Sequence, residues 1–199
     1  VGPDRMALVI ADVSDKGVPA ALFMMRSKTA IRGLAESGLE PEEIFYRVNN
    51  ELCEGNDLNM FVTVWMGIID LKTGDMKCLN AGHEYPAIMR KGGDYKIFKD
   101  KHRLPLGAMK DMTYDSYMMH LDPGDCLYVY TDGIPDAINV NEEEYGLERA
   151  MNALNMYKEA SMEGLLQGVK ADQDEFVGDA DQFDDITMLG FRYNGPQDL

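Results

Sequence analysis

Cysteine is scarce and odd in number: the 199 residues hold only Cys53, Cys78 and Cys126, with no metal-ligand spacing among them. A disulfide framework and a thiolate zinc site are both excluded as organising principles, and the three are read as buried, reduced thiols. Histidine is equally scarce. His83, His102 and His120 stand far apart or unpaired at ligand spacing, which argues against zinc. Basic residues are outnumbered, 19 Lys and Arg against 35 Asp and Glu, for a formal net charge of -16. A surface this acidic repels phosphate backbones, so a nucleic-acid partner is not expected. It also repels anionic substrates unless metal ions invert the local field. Long apolar runs, low-complexity tracts and repeats are absent; no stretch reaches the length of a bilayer span. The opening Val1-Gly2-Pro3-Asp4-Arg5 lacks the apolar core of a secretion signal. A cytoplasmic protein is therefore expected, and the missing initiator Met suggests a fragment.

What is present is 45% hydrophobic residues, enough for one globular domain. The 15 methionines are dispersed and read as core filler. Residues 6–13 form an almost continuous apolar run, read as a strand buried on both faces. Pro19 suits the first turn of a helix. Ala20, Phe23, Met24, Ser27, Ala30, Ile31 and Leu34 give that helix one face, and Gly38 ends it. Pro41 opens a second helix with the stripe Ile44, Phe45, Val48 and Leu52. The middle is rich in strands: 60–70, 76–80, 86–90, 95–98, 117–121 and 125–131, several joined as hairpins. Helices over 146–157 and 161–174 precede a last strand over 186–193. Helix pairs flanking hairpin-joined strands define an α+β fold, an antiparallel β-sandwich with helix pairs, rather than a doubly wound sheet.

Three aspartates sit at the ends of strand-like segments: Asp12 after Leu8-Val9-Ile10-Ala11, Asp132 after Leu127 to Thr131, and Asp184 before Asp185-Ile186-Thr187. Carboxylates where core meets solvent, gathered at one edge, would make an oxygen-rich site for hard cations. Phosphate-ester hydrolysis uses such sites, with two ions about 3.5–4 Å apart holding the attacking and leaving oxygens. Gly133 beside Asp132, and Gly17 shortly after Asp12, would allow close backbone approach. Each piece also has a plain reading: Asp132-Gly133 as a turn, Asp184-Asp185 as part of an acidic loop. Spacing alone leaves metal site and accident on equal footing.

At these residues the chain resembles the metal-dependent PPM phosphatases, the protein phosphatase 2C superfamily, in the bacterial SpoIIE/RsbU-type branch. Ile10-Ala11-Asp12-Val13-Ser14-Asp15-Lys16-Gly17-Val18-Pro19-Ala20-Ala21, Asn59-Met60-Phe61-Val62-Thr63 and Asn80-Ala81-Gly82-His83-Glu84-Tyr85-Pro86 match its motifs in order. So do Leu104-Pro105-Leu106-Gly107, Tyr130-Thr131-Asp132-Gly133-Ile134 and Asp184-Asp185-Ile186-Thr187. The resemblance implies two Mn2+ or Mg2+ ions, with Asp12 bridging both and the Val13 carbonyl as a further ligand. Asp132 and Asp184 would complete one shell, and an activated water would attack phosphorus with no phosphoenzyme. Asp185, Gly17, Gly133 and His83 are accessory positions; for His83 a structural turn outweighs a general-acid role. The implied substrate is a protein phosphoserine or phosphothreonine, in this branch often on a STAS-type anti-sigma-factor antagonist. An upstream sensor or receiver domain and a homodimer are further expectations.

One departure stands out. The family carries another metal-site aspartate in a Gly-Gly-Asp motif on an earlier strand, and this sequence has none; Gly2-Pro3-Asp4 is no substitute. The expectation is a single phosphatase domain over 1–194 trimmed of its N-terminal strand, with 195–199 as a tail. The alternative is a catalytically weak or degenerate domain that serves as a regulatory binding module.

Overall fold

A computed structural model describes residues 1–196; the last three residues of the expected tail lie outside the described residues. The chain divides into two compact units. Unit 1 comprises Val1–His83, Asp100–His120 and the described residues from Gly195; unit 2 comprises Glu84–Lys99 and Leu121–Asn194.

Unit 1 holds strands β1 (Arg5–Val13), β2 (Val62–Asp70) and β3 (Asp75–Ala81), with β6 (Tyr117–His120) as the fourth. They form an antiparallel sheet of order β1-β2-β3-β6. Helices α1 (Val18–Glu36) and α2 (Pro41–Cys53) complete the unit. The turn between β2 and β3 is set by Asp70, whose Oδ1 accepts the amides of Lys72 (2.8 Å) and Thr73 (3.1 Å). Proline lies in the first turn of both helices. Glu42 and Glu43 add negative charge where the α2 dipole favours it. The expected stripe Ile44, Phe45, Val48 and Leu52 is fully buried, in one core with Val62, Val64 and Met66 of β2. Each such side chain contributes about 1.5–3 kcal/mol of burial.

Two sequence expectations are corrected here. The run 6–13 is a strand, but an edge strand, and only Ile10 along it is fully buried. An apolar run reports burial propensity; it cannot tell a central strand from one with a single neighbour. Met24, assigned to the buried face of α1, is 43% exposed, and the core face is Ala20, Phe23, Ser27, Ile31 and Ala35.

Unit 2 holds β4 (Ala87–Met89), β5 (Tyr95–Ile97), β7 (Cys126–Tyr130) and β8 (Met188–Arg192) in the antiparallel order β5-β4-β7-β8. Helices α3 (Gly146–Met156) and α4 (Met162–Val177) share a core with this sheet. The Ser161 hydroxyl caps α4 by accepting the Gly164 amide at 3.1 Å. β7 is buried at every residue, and Tyr128 stacks on Tyr130, ring centroids 5.3 Å apart. Trp65, Tyr128 and Tyr130 are core residues. All three cysteines are free thiols; Cys78 and Cys126 are buried, while Cys53 is half-buried.

Candidate functional site

In unit 1 the apolar β1 ends at Asp12 and Val13, which pair across the ladder with Thr63 and Val62. The chain then turns. Ser14 clamps the turn to the start of β2: its amide donates to the Phe61 carbonyl, and its hydroxyl accepts the Phe61 amide, both at 2.9 Å. Asp15 adopts φ 64°, a left-handed conformation that short polar side chains tolerate. Gly17 follows at φ 87° as the N-cap of α1, with no capping side chain. Glycine is needed there to swing the strand end into the helix. The N-cap position is thus Gly17 and not Asp12.

His83 lies 3% exposed, with its Nδ1 2.9 Å from the Thr63 hydroxyl. Its backbone is tied by Asn80, whose Oδ1 accepts the His83 amide (2.8 Å) and whose Nδ2 donates to the His83 carbonyl (3.0 Å). The turn is therefore structural, as the sequence reading held, and its ring is directed to the strand pair that carries Asp12.

In unit 2 the buried β7 ends at Tyr130, and Thr131-Asp132-Gly133-Ile134 turns away. The Asp136 amide donates to the Asp132 carbonyl at 2.9 Å, closing one turn. The segment Asp184-Asp185 lies directly against this turn. A Cβ on Gly133 would collide with the Asp185 carbonyl, closer than any real Cβ contact, and would touch the Asp184 carbonyl at 3.4 Å. Only glycine fits. Thr131, 1% exposed, donates to the Asp185 carbonyl at 3.0 Å, and Gln173 of α4 donates to the carbonyls of Gly133 (2.8 Å) and Ile134 (2.9 Å). Asp132, Gly133, Asp184 and Asp185 are thus brought together in unit 2. Asp12, Val13, Gly17 and His83 belong to unit 1.

Asp136 joins the acidic group in unit 2. Burial raises its carboxyl above the usual carboxylate range, and the negative charges of Asp132, Glu144 and Asp184 raise it further. Carboxylates that repel one another are what a cation relieves. The sequence reading gave Asp136, Thr131, Gln173 and Thr63 no role of their own. Asp136 was visible as an acid four residues past Asp132; nothing in the sequence marks Gln173, 40 residues away.

In kind, the donors suit a hard divalent cation: carboxylates, backbone carbonyls and a glycine-lined turn. In placement, no group of three His, Cys, Asp or Glu side chains is positioned to hold a metal among the described residues.

Among the described residues, two antiparallel sheets and four helices make up the fold of the PP2C phosphatase domains. The chain belongs to the stage II sporulation protein E (SpoIIE) family, whose model matches residues 2–194. It is 32% identical to protein IcfG of Synechocystis, over 98% of this chain and 34% of that protein. It is 27% identical to the phosphoserine phosphatase RsbU of Bacillus subtilis, over 95% of this chain and 56% of that protein. The chain thus spans about a third and about half of these relatives. The structure of the RsbU and RsbW domains of Rv1364c from Mycobacterium tuberculosis shares the fold at TM-score 0.84 and 21% identity, covering 98% of this chain and 54% of that one. The catalytic domain of the serine threonine phosphatase PstP, in complex with two manganese ions, shares it at TM-score 0.64 and 11% identity, covering 92% and 85%.

Proposed function

We propose that the chain is a divalent-metal-dependent serine/threonine phosphoprotein phosphatase. The observation that carries this reading is the clamp of Asp184-Asp185 on the Asp132-Gly133 turn, which confines two carboxylates and two backbone carbonyls beside a residue that must be glycine. Its relatives support it, RsbU being a phosphoserine phosphatase. The proposed ligands are the Asp12 carboxylate and Val13 carbonyl in unit 1, and the Asp132 and Asp184 carboxylates in unit 2. Manganese or magnesium, two ions, suits these oxygen donors. The chemistry such ions supply is an activated water and neutralised phosphoryl oxygens. The protein's own part is to hold the carboxylates in fixed turns, so little reorganisation is needed when substrate binds.

The proposed substrate is a phosphoserine or phosphothreonine on a STAS-type anti-sigma-factor antagonist, with residues 1–194 acting as one phosphatase domain, in the cytoplasm, controlled by a sensor or receiver domain of the longer protein. No helix among the described residues is long and apolar enough to cross a membrane. The test is phosphate release from a serine-phosphorylated STAS protein with manganese and with EDTA. Release with manganese alone is expected; release in both conditions contradicts the metal dependence, and release in neither contradicts the enzyme reading.

A second reading rests on the absence of a ready three-ligand group among the described residues: a weak or degenerate phosphatase domain that binds a phosphoprotein. It predicts capture of the phosphorylated STAS protein without turnover.

A further inference from the structure

We propose that Thr63 and His83 are positioning residues for Asp12, held in place by Asn80 and the buried carboxylate of Asp100. The proposal rests on the reading of Asp12 as a metal-ligating residue. All the groups involved lie in unit 1.

Asp12 and Thr63 face each other across the β1–β2 ladder. The Thr63 hydroxyl sits between two groups, 3.4 Å from the Asp12 carbonyl and 2.9 Å from His83 Nδ1. A hydroxyl has one proton to give. When Thr63 gives it to the Asp12 carbonyl, the His83 ring must donate from Nδ1 to Thr63. The ring orientation is then specified at one nitrogen, and the Asp12 carbonyl gains a donor beyond the backbone ladder. That carbonyl shares a rigid peptide plane with the Val13 amide. Holding it therefore sets how the chain leaves Asp12 toward Val13, the two residues read as ligands.

The other end of the chain of hydrogen bonds is buried. Asn80, 1% exposed, holds the His83 backbone from both sides and donates to Asp100 Oδ2 at 3.1 Å. The Asp100 side chain has no exposure, accepts the Tyr117 hydroxyl at 2.9 Å, and lies 3.3 Å from His102 Nδ1. The same Tyr117 oxygen accepts Trp65 Nε1 at 3.0 Å. Buried polar networks of this kind specify one arrangement, because any break leaves a polar group in the core.

A purely structural account covers only part of this. The Asn80–His83 turn is complete without Thr63: both backbone groups of His83 are already satisfied by Asn80. The ring-to-hydroxyl contact adds nothing to the turn; what it adds is a fixed Asp12 carbonyl.

The test compares wild type with Thr63→Val, which removes the hydroxyl at nearly constant shape, and Thr63→Ser, which keeps it. Three readouts are taken: manganese affinity by calorimetry, the Val13 amide resonance in metal-free protein, and turnover of para-nitrophenyl phosphate against manganese concentration. Thr63→Val should weaken manganese binding about 10–100-fold, as loss of groups that orient ligands does, and shift the Val13 amide, with a lowered melting temperature from the buried His83 ring nitrogen that loses its Thr63 partner. Thr63→Ser should restore all three. Equal manganese affinity in wild type and Thr63→Val overturns the proposal, as does a Ser variant as impaired as Val. A wild-type chain that neither binds manganese nor turns over the ester overturns the phosphatase reading, and the proposal with it.

Discussion

Thr131 donates its hydroxyl to the Asp185 carbonyl at 3.0 Å while accepting the Thr187 amide at the same distance. One buried hydroxyl thus joins the turn that carries Asp132 to the segment that carries Asp184, 52 residues later. Thr131→Val keeps the shape and removes two part-buried hydrogen bonds, one to the Thr187 amide and one to the Asp185 carbonyl. The expected cost is about 1–3 kcal/mol, measured by denaturant unfolding, together with reduced phosphatase turnover. Thr131→Ser should recover most of both.

Gly133→Ala tests the closeness of the same clamp. The added Cβ would meet the Asp185 backbone, which is not a flexible side-chain tip that can step aside. A loss of about 1–3 kcal/mol is expected from such overpacking. Turnover should fall further than stability explains, because the displaced segment carries Asp184. Thermal unfolding and turnover of a small phosphate ester, measured side by side, check both.

Gly168 in α4 offers a contrast. Alanine is ordinarily better than glycine inside a helix by about 1 kcal/mol. Here a Cβ would run into the Tyr157 ring. Gly168→Ala should therefore destabilise unit 2 despite its helix propensity, and a rise in melting temperature would contradict that packing.

Asp125 gives a pH dependence with a definite sign. Its side chain is 2% exposed, bonded to Arg90 at 2.6 Å and to the backbone amides of Lys91 (2.8 Å) and Asp122 (3.0 Å). Burial, the largest single influence, pushes its carboxyl up; the Arg90 and amide hydrogen bonds together outweigh it and hold the group below the usual carboxylate range. A depressed native value means the stabilisation is present above the ordinary value of about 3.9 and is lost as pH falls through the native one. Asp125→Ala should cost about 1.5–3 kcal/mol at neutral pH. The gap from wild type should narrow in acid, as urea unfolding at pH 7 and near pH 3 would show.

The sequence carried much of this. The α2 stripe is buried as its spacing requires, the hairpin turns fall at Lys72-Thr73-Gly74 and Gly92-Gly93, and Asp12 and Asp132 lie where an apolar run stops, while Asp184 stands four residues before β8. The misses share a cause. The run 6–13 reads as fully buried because periodicity reports a residue's neighbours along the chain and not how many strands flank it. Met24 has an apolar side chain on the exposed side of a helix whose stripe is narrow. Thr131, Gln173 and Thr63 act through hydrogen bonds to residues 20 to 56 positions away, and such pairings leave no local pattern. Asp100 reads as one more charge in a lysine-rich stretch, yet its side chain has no exposure.

If Asp12 and Asp132 hold a divalent cation used for phosphate-ester hydrolysis, manganese binding depends on both carboxylates. Manganese titration by calorimetry of wild type, Asp12→Asn and Asp132→Asn reads that dependence. Wild type should bind, and each variant should lose at least about a hundredfold in affinity, more than changes outside the ligand set usually cost, while remaining folded. Manganese binding that is absent from wild type, or unchanged in both variants, would contradict the account.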